Sequence, residues 1–476
     1  MTLFINGQWI KTDRTETIIN PATKEAVGDV YTGGKDEASE AINAANDAFK
    51  TWKAMTGNER GTILINIADE LLNVKNDIAT MITKEMGKPI KDARGEVASA
   101  AAYLKWNGEE AKRIYGDVIP ALDSKKQLMV LRQPIGVIGA ITPWNFPVSM
   151  ILRKLGPALA AGCTAVLKPA PSTPQCAIEV FKCFERGGLP SGVANLVIGD
   201  AEAIGTEMTD NPIVKKLTFT GSTNVGKQLM RQASENVQKI SMELGGHAPF
   251  IVFDDANLDD AVNSVVGTKF KNSGQTCIST NRIYVQNGIK DEFSKRLAEA
   301  VEALNVGDGL DENTDMGPLV NEAALHKVDD QVQKALSAGA STVTGASVME
   351  NKDGFFYTPT VLADVTDGMN IAKEETFGPV APIFTFDSEE EVVERANNTQ
   401  YGLMGYCFTN DLSRSMRMMH QLEYGMVGIN DPAPIVPHAP FGGMKESGIG
   451  REGGTSGVHE FMEEKFVSIK TSANLI

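Results

Sequence analysis

Residues 136–147 read Gly-Val-Ile-Gly-Ala-Ile-Thr-Pro-Trp-Asn-Phe-Pro. An apolar run of strand length ends in a loop stiffened by two prolines. Working outward, residues 148–162 carry a helical pattern, Cys163-Thr-Ala-Val-Leu a strand, Thr173 to Glu185 a helix and Ala194-Asn-Leu-Val-Ile a strand. Residues 201–209 follow as a helix, Lys216-Leu-Thr-Phe-Thr as a strand, a helix starts near Thr223, and Lys239-Ile-Ser-Met-Glu-Leu closes the series. Strands alternating with helices in short units predict a parallel sheet covered on both faces.

A second series runs from about residue 250, with strands at Arg282-Ile-Tyr-Val, Ile383-Phe-Thr-Phe, Met404-Gly-Tyr-Cys-Phe and Met426-Val-Gly-Ile. Helices near 290–304, 319–337, 388–397 and 411–422 separate them. Residues 35–115 are helical by the three- and four-residue spacing of their apolar positions. The fold class is therefore α/β, with two doubly wound parallel-sheet domains meeting near Gly245-Gly246. The β-prone tail Glu464-Lys-Phe-Val-Ser-Ile-Lys either pairs with a neighbouring subunit or returns to its own sheet.

A chain of 476 residues exceeds one core, and 42% apolar with 22% charged residues describes a soluble globular protein. The formal charge of −16 argues against nucleic acid or an anionic membrane as partner. Five cysteines, odd in number and without Cys-x-x-Cys, fit a reducing compartment, and five histidines without a His-x-x-x-His pair give no metal signature. The N-terminus lacks a basic segment followed by an apolar one, so the expected location is cytoplasmic.

Chemistry concentrates in loops. Small, flexible residues, Ser273, Gly274 and Thr276, lead to Cys277, giving a thiol room to meet a substrate. A free cysteine alone is more often a small core residue. Upstream, Glu243 in Glu-Leu-Gly-Gly supplies a carboxylate in a glycine-marked loop, and the two together suggest covalent catalysis through a thioester. Three further loops end consecutive strands and so cluster at one sheet edge. Thr142-Pro-Trp-Asn-Phe-Pro presents Asn145 as a stiff donor for an oxyanion. Lys168-Pro-Ala-Pro-Ser carries a lysine that either reaches a ribose or phosphate or is a solvated turn residue. Phe219-Thr-Gly-Ser opens a helix whose free N–H groups suit a phosphate, although any such turn can contain glycine.

These stretches, with Gly274-Gln-Thr-Cys, Glu374-Glu-Thr-Phe-Gly-Pro and Pro440-Phe-Gly-Gly-Met-Lys-Glu-Ser-Gly, occur in the order found in the NAD(P)-dependent aldehyde dehydrogenase superfamily, which the chain resembles over its full length. The resemblance implies Cys277 as nucleophile, Asn145 and the Cys277 N–H as oxyanion donors, Glu243 as base, and Lys154 with Glu452 as a proton relay, against the ordinary reading of both as solvated. It implies NAD or NADP as cofactor, held by Thr142, Trp144, Lys168, Ser172, Gly221, Ser222, Leu244, Glu375 and Phe377. Pro171 and Ser172 stand where NAD-preferring relatives often place a glutamate, which leaves both cofactors tolerated. It also implies a dinucleotide-binding domain from 1–117 and 138–244, a catalytic domain at 245–444, and a small β oligomerisation element from 118–137 and 456–476, in a homodimer or homotetramer.

Several segments resemble the succinate-semialdehyde dehydrogenase branch, which needs a cation for the far carboxylate of a small anionic aldehyde. Arg153 matches that branch's arginine. Lys271 replaces a second arginine, keeping charge without the planar fork. The loop Pro434-Ile-Val-Pro-His-Ala-Pro is altered, so His438 is either a further donor or a rim histidine, and a sulfonate- or phosphonate-bearing aldehyde remains an alternative substrate. A CoA-acylating relative typically lacks the base that Glu243 provides. Ser279 stands where some relatives carry a second cysteine, which predicts no disulfide switch.

Overall fold

The structure, a computed structural model, describes residues 3–473. Its first sheet contains five parallel strands, in spatial order Ala194–Leu196, Thr164–Lys168, Val137–Ile141, Val214–Thr220 and Lys239–Glu243. The chain builds outward from Val137–Ile141 in one direction, then resumes on its other side. That reversal opens a crevice at the carboxyl ends of the strands, where doubly wound sheets bind ligands. The strands are apolar nearly throughout because both faces are covered: Thr164–Lys168 is buried at every position. Helix Ser149–Ala161 is buried along all 13 residues and ends at Gly162, whose φ of 96° suits glycine.

Three strands of this sheet were not legible in the sequence. Leu3–Ile5 and Gln8–Ile10 add antiparallel strands at one edge, and Gly448–Ile449 pairs antiparallel with Met242 and Glu243 at the other. The predicted helical region 35–115 resolves into Lys35–Trp52, Gly57–Asn73, Lys75–Met86 and Ile90–Glu110. Thr56 and Glu59 form a capping box at the second of these.

The second sheet runs Ser341–Thr344, Thr360–Ala363, Val380–Phe386, Thr280–Gln286, Ala248–Val252, Met404–Phe408 and Met426–Ile429, parallel except for its first pair. The four strands expected from sequence are all present; Ala248–Val252, Ser341–Thr344 and Thr360–Ala363 were missed. Strand Met462–Lys470 pairs over nine residues with Lys126–Pro134 of the same chain, and Asp117–Ile119 lies on the far side of that strand. The β-prone tail therefore returns to its own chain.

Candidate active site: a strained thiol loop on a two-sided cleft

Cys277 ends a loop that follows helix Leu258–Lys269. Asn272 (φ 52°, ψ 29°), Ser273 (φ 57°, ψ 31°) and Gly274 (φ 72°) are consecutive left-handed residues. Such a run is costly for non-glycine residues and persists only when its surroundings over-determine it. Here they do. Asn272 Nδ2 donates to the carbonyls of Asn145 and Gln275 (both 3.2 Å), and Ser273 Oγ to that of Gly317 (2.8 Å). Gln275 donates to Asn272 O (3.2 Å) and accepts from Val320 N (2.9 Å). The small residues before Cys277 thus make a rigid turn, not the flexible approach expected from sequence. A side chain at Gly246 would put its Cβ 2.1 Å from the Cys277 carbonyl oxygen, so the second glycine of Glu-Leu-Gly-Gly is what lets the two loops meet.

Asn145 is buried, and its Nδ2 donates to the Gln275 carbonyl at 2.9 Å. An amide nitrogen carries two hydrogens, so one remains for a substrate oxygen beside the thiol. Burial, reinforced by the carboxylates of Glu375 and Glu243, pushes the Cys277 thiol up to about 12, while Arg153 opposes the shift. The thiol of the ligand-free protein is protonated at neutral pH.

Behind the thiol lies a buried charge cluster. Glu452 sits 2.8 Å from Lys154 Nζ and 3.0 Å from Arg153 Nε. Burial alone would raise its pKa, but the two cations hold it below the ordinary value. Glu243, 5% exposed, is pushed well above the ordinary carboxylate range, by burial first and then by Glu452. A Cβ at Gly442 would approach Glu243 Oε1 to 2.8 Å, so that glycine makes room for the carboxylate. Lys154 also donates to Thr218 Oγ1 at 3.2 Å. Lys154 and Glu452, expected from their own sequence context to be solvated, are both buried. Arg153 Nε and Glu452 Oε2 are close but badly angled, and these two atoms with Arg153 Nη2 lack hydrogen-bond partners. The Arg153 guanidinium lies 3.8 Å from the ring centre of Phe441 and 5.4 Å from that of Tyr103.

A cleft of about 1090 Å³ opens onto the thiol, Asn145 and Arg153, while Glu243, Lys154 and Glu452 are not among its lining residues. On one side it is lined by Asn145, Arg153, Lys271, Cys277, Tyr103 and Phe441, and on the other by Trp144, Gly221, Ser222, Leu244, Glu375 and Phe377. The second side suits a dinucleotide. The rings of Trp144 and Phe377 stand edge to face, 5.7 Å apart. Ser222 caps helix Thr223–Ser234, whose N-terminus offers its N–H groups to the cleft. Thr142 Oγ1 and Thr220 Oγ1, at adjacent strand ends flanking the topological reversal, are buried without hydrogen-bond partners. Glu375 accepts from Gly246 N at 3.0 Å, and burial raises its pKa to about 7. Lys168 is buried at the next strand end, where Thr142 N donates to its carbonyl at 3.2 Å, and desolvation lowers its amine to about 8. Ser172 follows on the turn beyond, half-buried.

A model of the aldehyde dehydrogenase family matches residues 9–467. The chain belongs to that family. Among known proteins it is 49% identical to the NADP-dependent succinate-semialdehyde dehydrogenase GabD of Escherichia coli K12, over 98% of this chain and 97% of that protein. It is 48% identical to a glutarate-semialdehyde dehydrogenase of Pseudomonas putida KT2440, over 98% and 97%. A crystal structure of an E. coli NADP-dependent enzyme superposes with a TM-score of 0.98 at 48% identity, covering 99% of this chain and 98% of that one. This aldehyde dehydrogenase has the family's mixed α/β architecture.

Two expected substrate residues stand differently from the sequence reading. His438 is exposed, does not line the cleft and lies against the Trp106 ring, 5.9 Å between centres; its loop instead contributes Pro432, Ala433 and Ile435. Lys271 lines the cleft, but its side chain is 55% exposed and its charge is shared with Asp92 at 3.5 Å. Sequence reasoning gave no role to Tyr103 and Phe441, which flank Arg153, nor to Asn272 and Gln275, which hold the thiol loop. Phe441 and Gln275 lay inside quoted motifs; Tyr103 sits in an ordinary helical pattern with no signal of its own.

Proposed function

We propose that this aldehyde dehydrogenase oxidises a small ω-carboxy aldehyde, with succinate semialdehyde the leading candidate, to the dicarboxylic acid using NAD or NADP. The observation that carries the substrate class is Arg153: buried in the cleft wall near the thiol, with Nη2 unpartnered and directed by neighbouring aromatic rings. Arg153 and Cys277 line the same cleft, which suits an aldehyde bearing an anion at its far end.

Cys277 gives its thiol proton to Glu243 by way of a cleft water as Sγ adds to the aldehyde carbon, and the free N–H of Asn145 Nδ2 with the Cys277 backbone N–H takes the developing oxyanion. When bound, the nicotinamide dinucleotide would supply the hydride acceptor and a positive ring. Collapse of the oxyanion expels the hydride from the former aldehyde carbon to that acceptor and leaves a thioester on Cys277. Glu243 removes a proton from the water that attacks it, and burial, which raises this carboxyl well above the ordinary range, makes it a stronger base than a solvated carboxylate. Glu452 and Lys154 pass the proton away from Glu243 along the buried cluster. Ser222 and Glu375 line the cleft, where they would hold the pyrophosphate and the nicotinamide ribose, and Thr142, Lys168 and Ser172, which are not among its lining residues, would reach the dinucleotide from the neighbouring strand ends. Neither Pro171 nor Ser172 repels a 2′-phosphate, which supports use of either cofactor.

Lys271 is mostly exposed and ion-paired with Asp92, which leaves Arg153 as the buried anchor; with the altered 434–440 loop this supports a second reading in which a sulfonate or phosphonate takes the place of the carboxylate. The deciding assay is steady-state kcat/KM for succinate semialdehyde, a sulfonated short aldehyde and butyraldehyde, each with NAD and NADP. A preference for butyraldehyde would end the anionic-substrate reading.

We also infer the division into units 1–117 with 138–244, 245–444, and 118–137 with 456–476, and a homodimer or homotetramer. The outer three-stranded sheet leaves Val118 and Phe466 72% and 61% exposed, the kind of apolar surface that a second subunit covers. Light scattering after size exclusion tests this, and a monomer would refute it. Among the described residues no helix is long and apolar enough to cross a membrane. The cytoplasm remains the location we propose, and subcellular fractionation checks it.

A further inference from the structure

Beneath the Pro-Trp-Asn-Phe-Pro loop lies an ion pair that the reaction described above does not use. Lys88 and Glu96 are 2% and 5% exposed, and their side chains meet directly. Lys88 Nζ also donates to the Asn145 carbonyl at 2.8 Å and sits 3.9 Å from the centre of the Phe146 ring. Glu96 Oε1 accepts from the backbone N–H groups of Val148 (2.9 Å) and Ser149 (3.2 Å), at the start of helix Ser149–Ala161. That helix carries Arg153 and Lys154. Gly87, left-handed at φ 80°, and Pro89 fix the backbone on either side of Lys88.

A buried ion pair is a poor source of stability, because an apolar pair of the same volume serves as well. What this one supplies is direction: two hydrogen bonds hold one end of the loop and one ammonium holds its centre. We propose that Lys88 and Glu96 are the positioning pair of the active site, fixing the Asn145 peptide so that its side-chain N–H points at the substrate oxygen and locking that loop to the helix bearing Arg153. The proposal rests on the reading of Asn145 as oxyanion donor. Asn272 Nδ2 holds the same Asn145 carbonyl from the thiol loop at 3.2 Å, so Lys88 and the loop that carries the nucleophile share one acceptor. Asp92 and Lys271 are the other charges facing Lys88.

The test is a double-mutant cycle on kcat and on the single-turnover burst of reduced cofactor. Asn145→Ala is expected to slow both by roughly 10²–10³-fold, as for loss of one oxyanion donor. Lys88→Met should slow them by about 10–10²-fold through misplacement alone, with cofactor Kd, read from quenching of the protein's tryptophan fluorescence, unchanged. In the Asn145→Ala background, Lys88→Met should cost less than about twofold more, because a donor that is gone cannot be misplaced. Lys88→Arg, which keeps a donor, should recover part of the rate. Glu96→Gln, which keeps the helix contact and loses the charge, provides the same reading if Lys88→Met does not fold. Losses that multiply in the double variant, or Lys88→Met and Glu96→Gln within about twofold of wild type, would overturn the proposal. Wild-type turnover by Asn145→Ala would instead overturn the oxyanion reading, and the positioning role with it.

Discussion

Replacing Arg153 by Met removes the cation while keeping most of the stem that packs on Phe441. Its neighbours survive the change: Glu452 keeps Lys154 at 2.8 Å, so no carboxylate is left buried without a partner. Arg153 has two donor atoms without a hydrogen-bond partner, Nε and Nη2. A bond from a charged donor contributes about 1.5–3 kcal/mol, and part of the attraction is already shared with Glu452. The expected loss for a carboxylate-bearing aldehyde is therefore about 2–4 kcal/mol, which is about 30- to 10³-fold in kcat/KM at 1.36 kcal/mol per decade. Butyraldehyde, with nothing to offer Arg153, should change by less than about threefold in KM. A second effect has the opposite signature. Arg153 restrains the upward shift of Glu243, so its loss raises that carboxyl further, and the rising limb of the kcat–pH profile should move to higher pH for both substrates. The assay is kcat and KM for both aldehydes from about pH 6 to 9. Equal losses in kcat/KM for the anionic and neutral aldehydes would show that Arg153 acts only through the fold.

Further expectations concern the thiol. Cys277→Ala should abolish dehydrogenase turnover and leave cofactor binding intact; turnover near wild type would remove Cys277 from the mechanism. Iodoacetamide modification of the ligand-free protein should quicken about tenfold per pH unit from about pH 7 to 10, because only the thiolate reacts and the thiol sits at about 12; a plateau below about pH 9 contradicts that. Gly246→Ala drives a methyl into the Cys277 carbonyl and should silence the enzyme with its far-ultraviolet circular dichroism preserved; retained activity would mean that the loops can separate freely. Asn272→Ala loses two buried hydrogen bonds and places alanine at φ 52°, for about 2–4 kcal/mol in urea unfolding. A loss under about 0.5 kcal/mol would show that the turn is not strained.

The strand–helix alternation over 136–244 was legible because buried parallel strands are short apolar runs between amphipathic helices, and all five strands lie where the pattern places them. Gly448–Ile449 was not, since two residues have no period, and Thr360–Ala363 was hidden by a neighbourhood without alternation. In the site, Cys277, Asn145 and Arg153 were visible because unusual residue types stand in constrained loops. The geometry of Asn272 and Ser273 was invisible, because a left-handed run of ordinary residues exists only through hydrogen bonds to Gly317, Val320 and Asn145. His438 misled because a histidine in an altered loop has the right chemistry, and only packing against Trp106 decides where it points.

The pairing of Gly448–Ile449 with Met242–Glu243 bears on how the enzyme is made. Ribosomes deliver a chain from its N-terminus, and early segments fold as they emerge. The strand that carries Glu243 stays an open edge until residues 448–449 arrive, and Glu452 follows only three positions later. Asn145, Glu243 and Cys277 have all been synthesised long before that. A nascent chain therefore holds Cys277, Asn145 and Glu243 before the strand and the carboxylate that complete the base's surroundings have been made, so the last tenth of the chain decides when the site is finished.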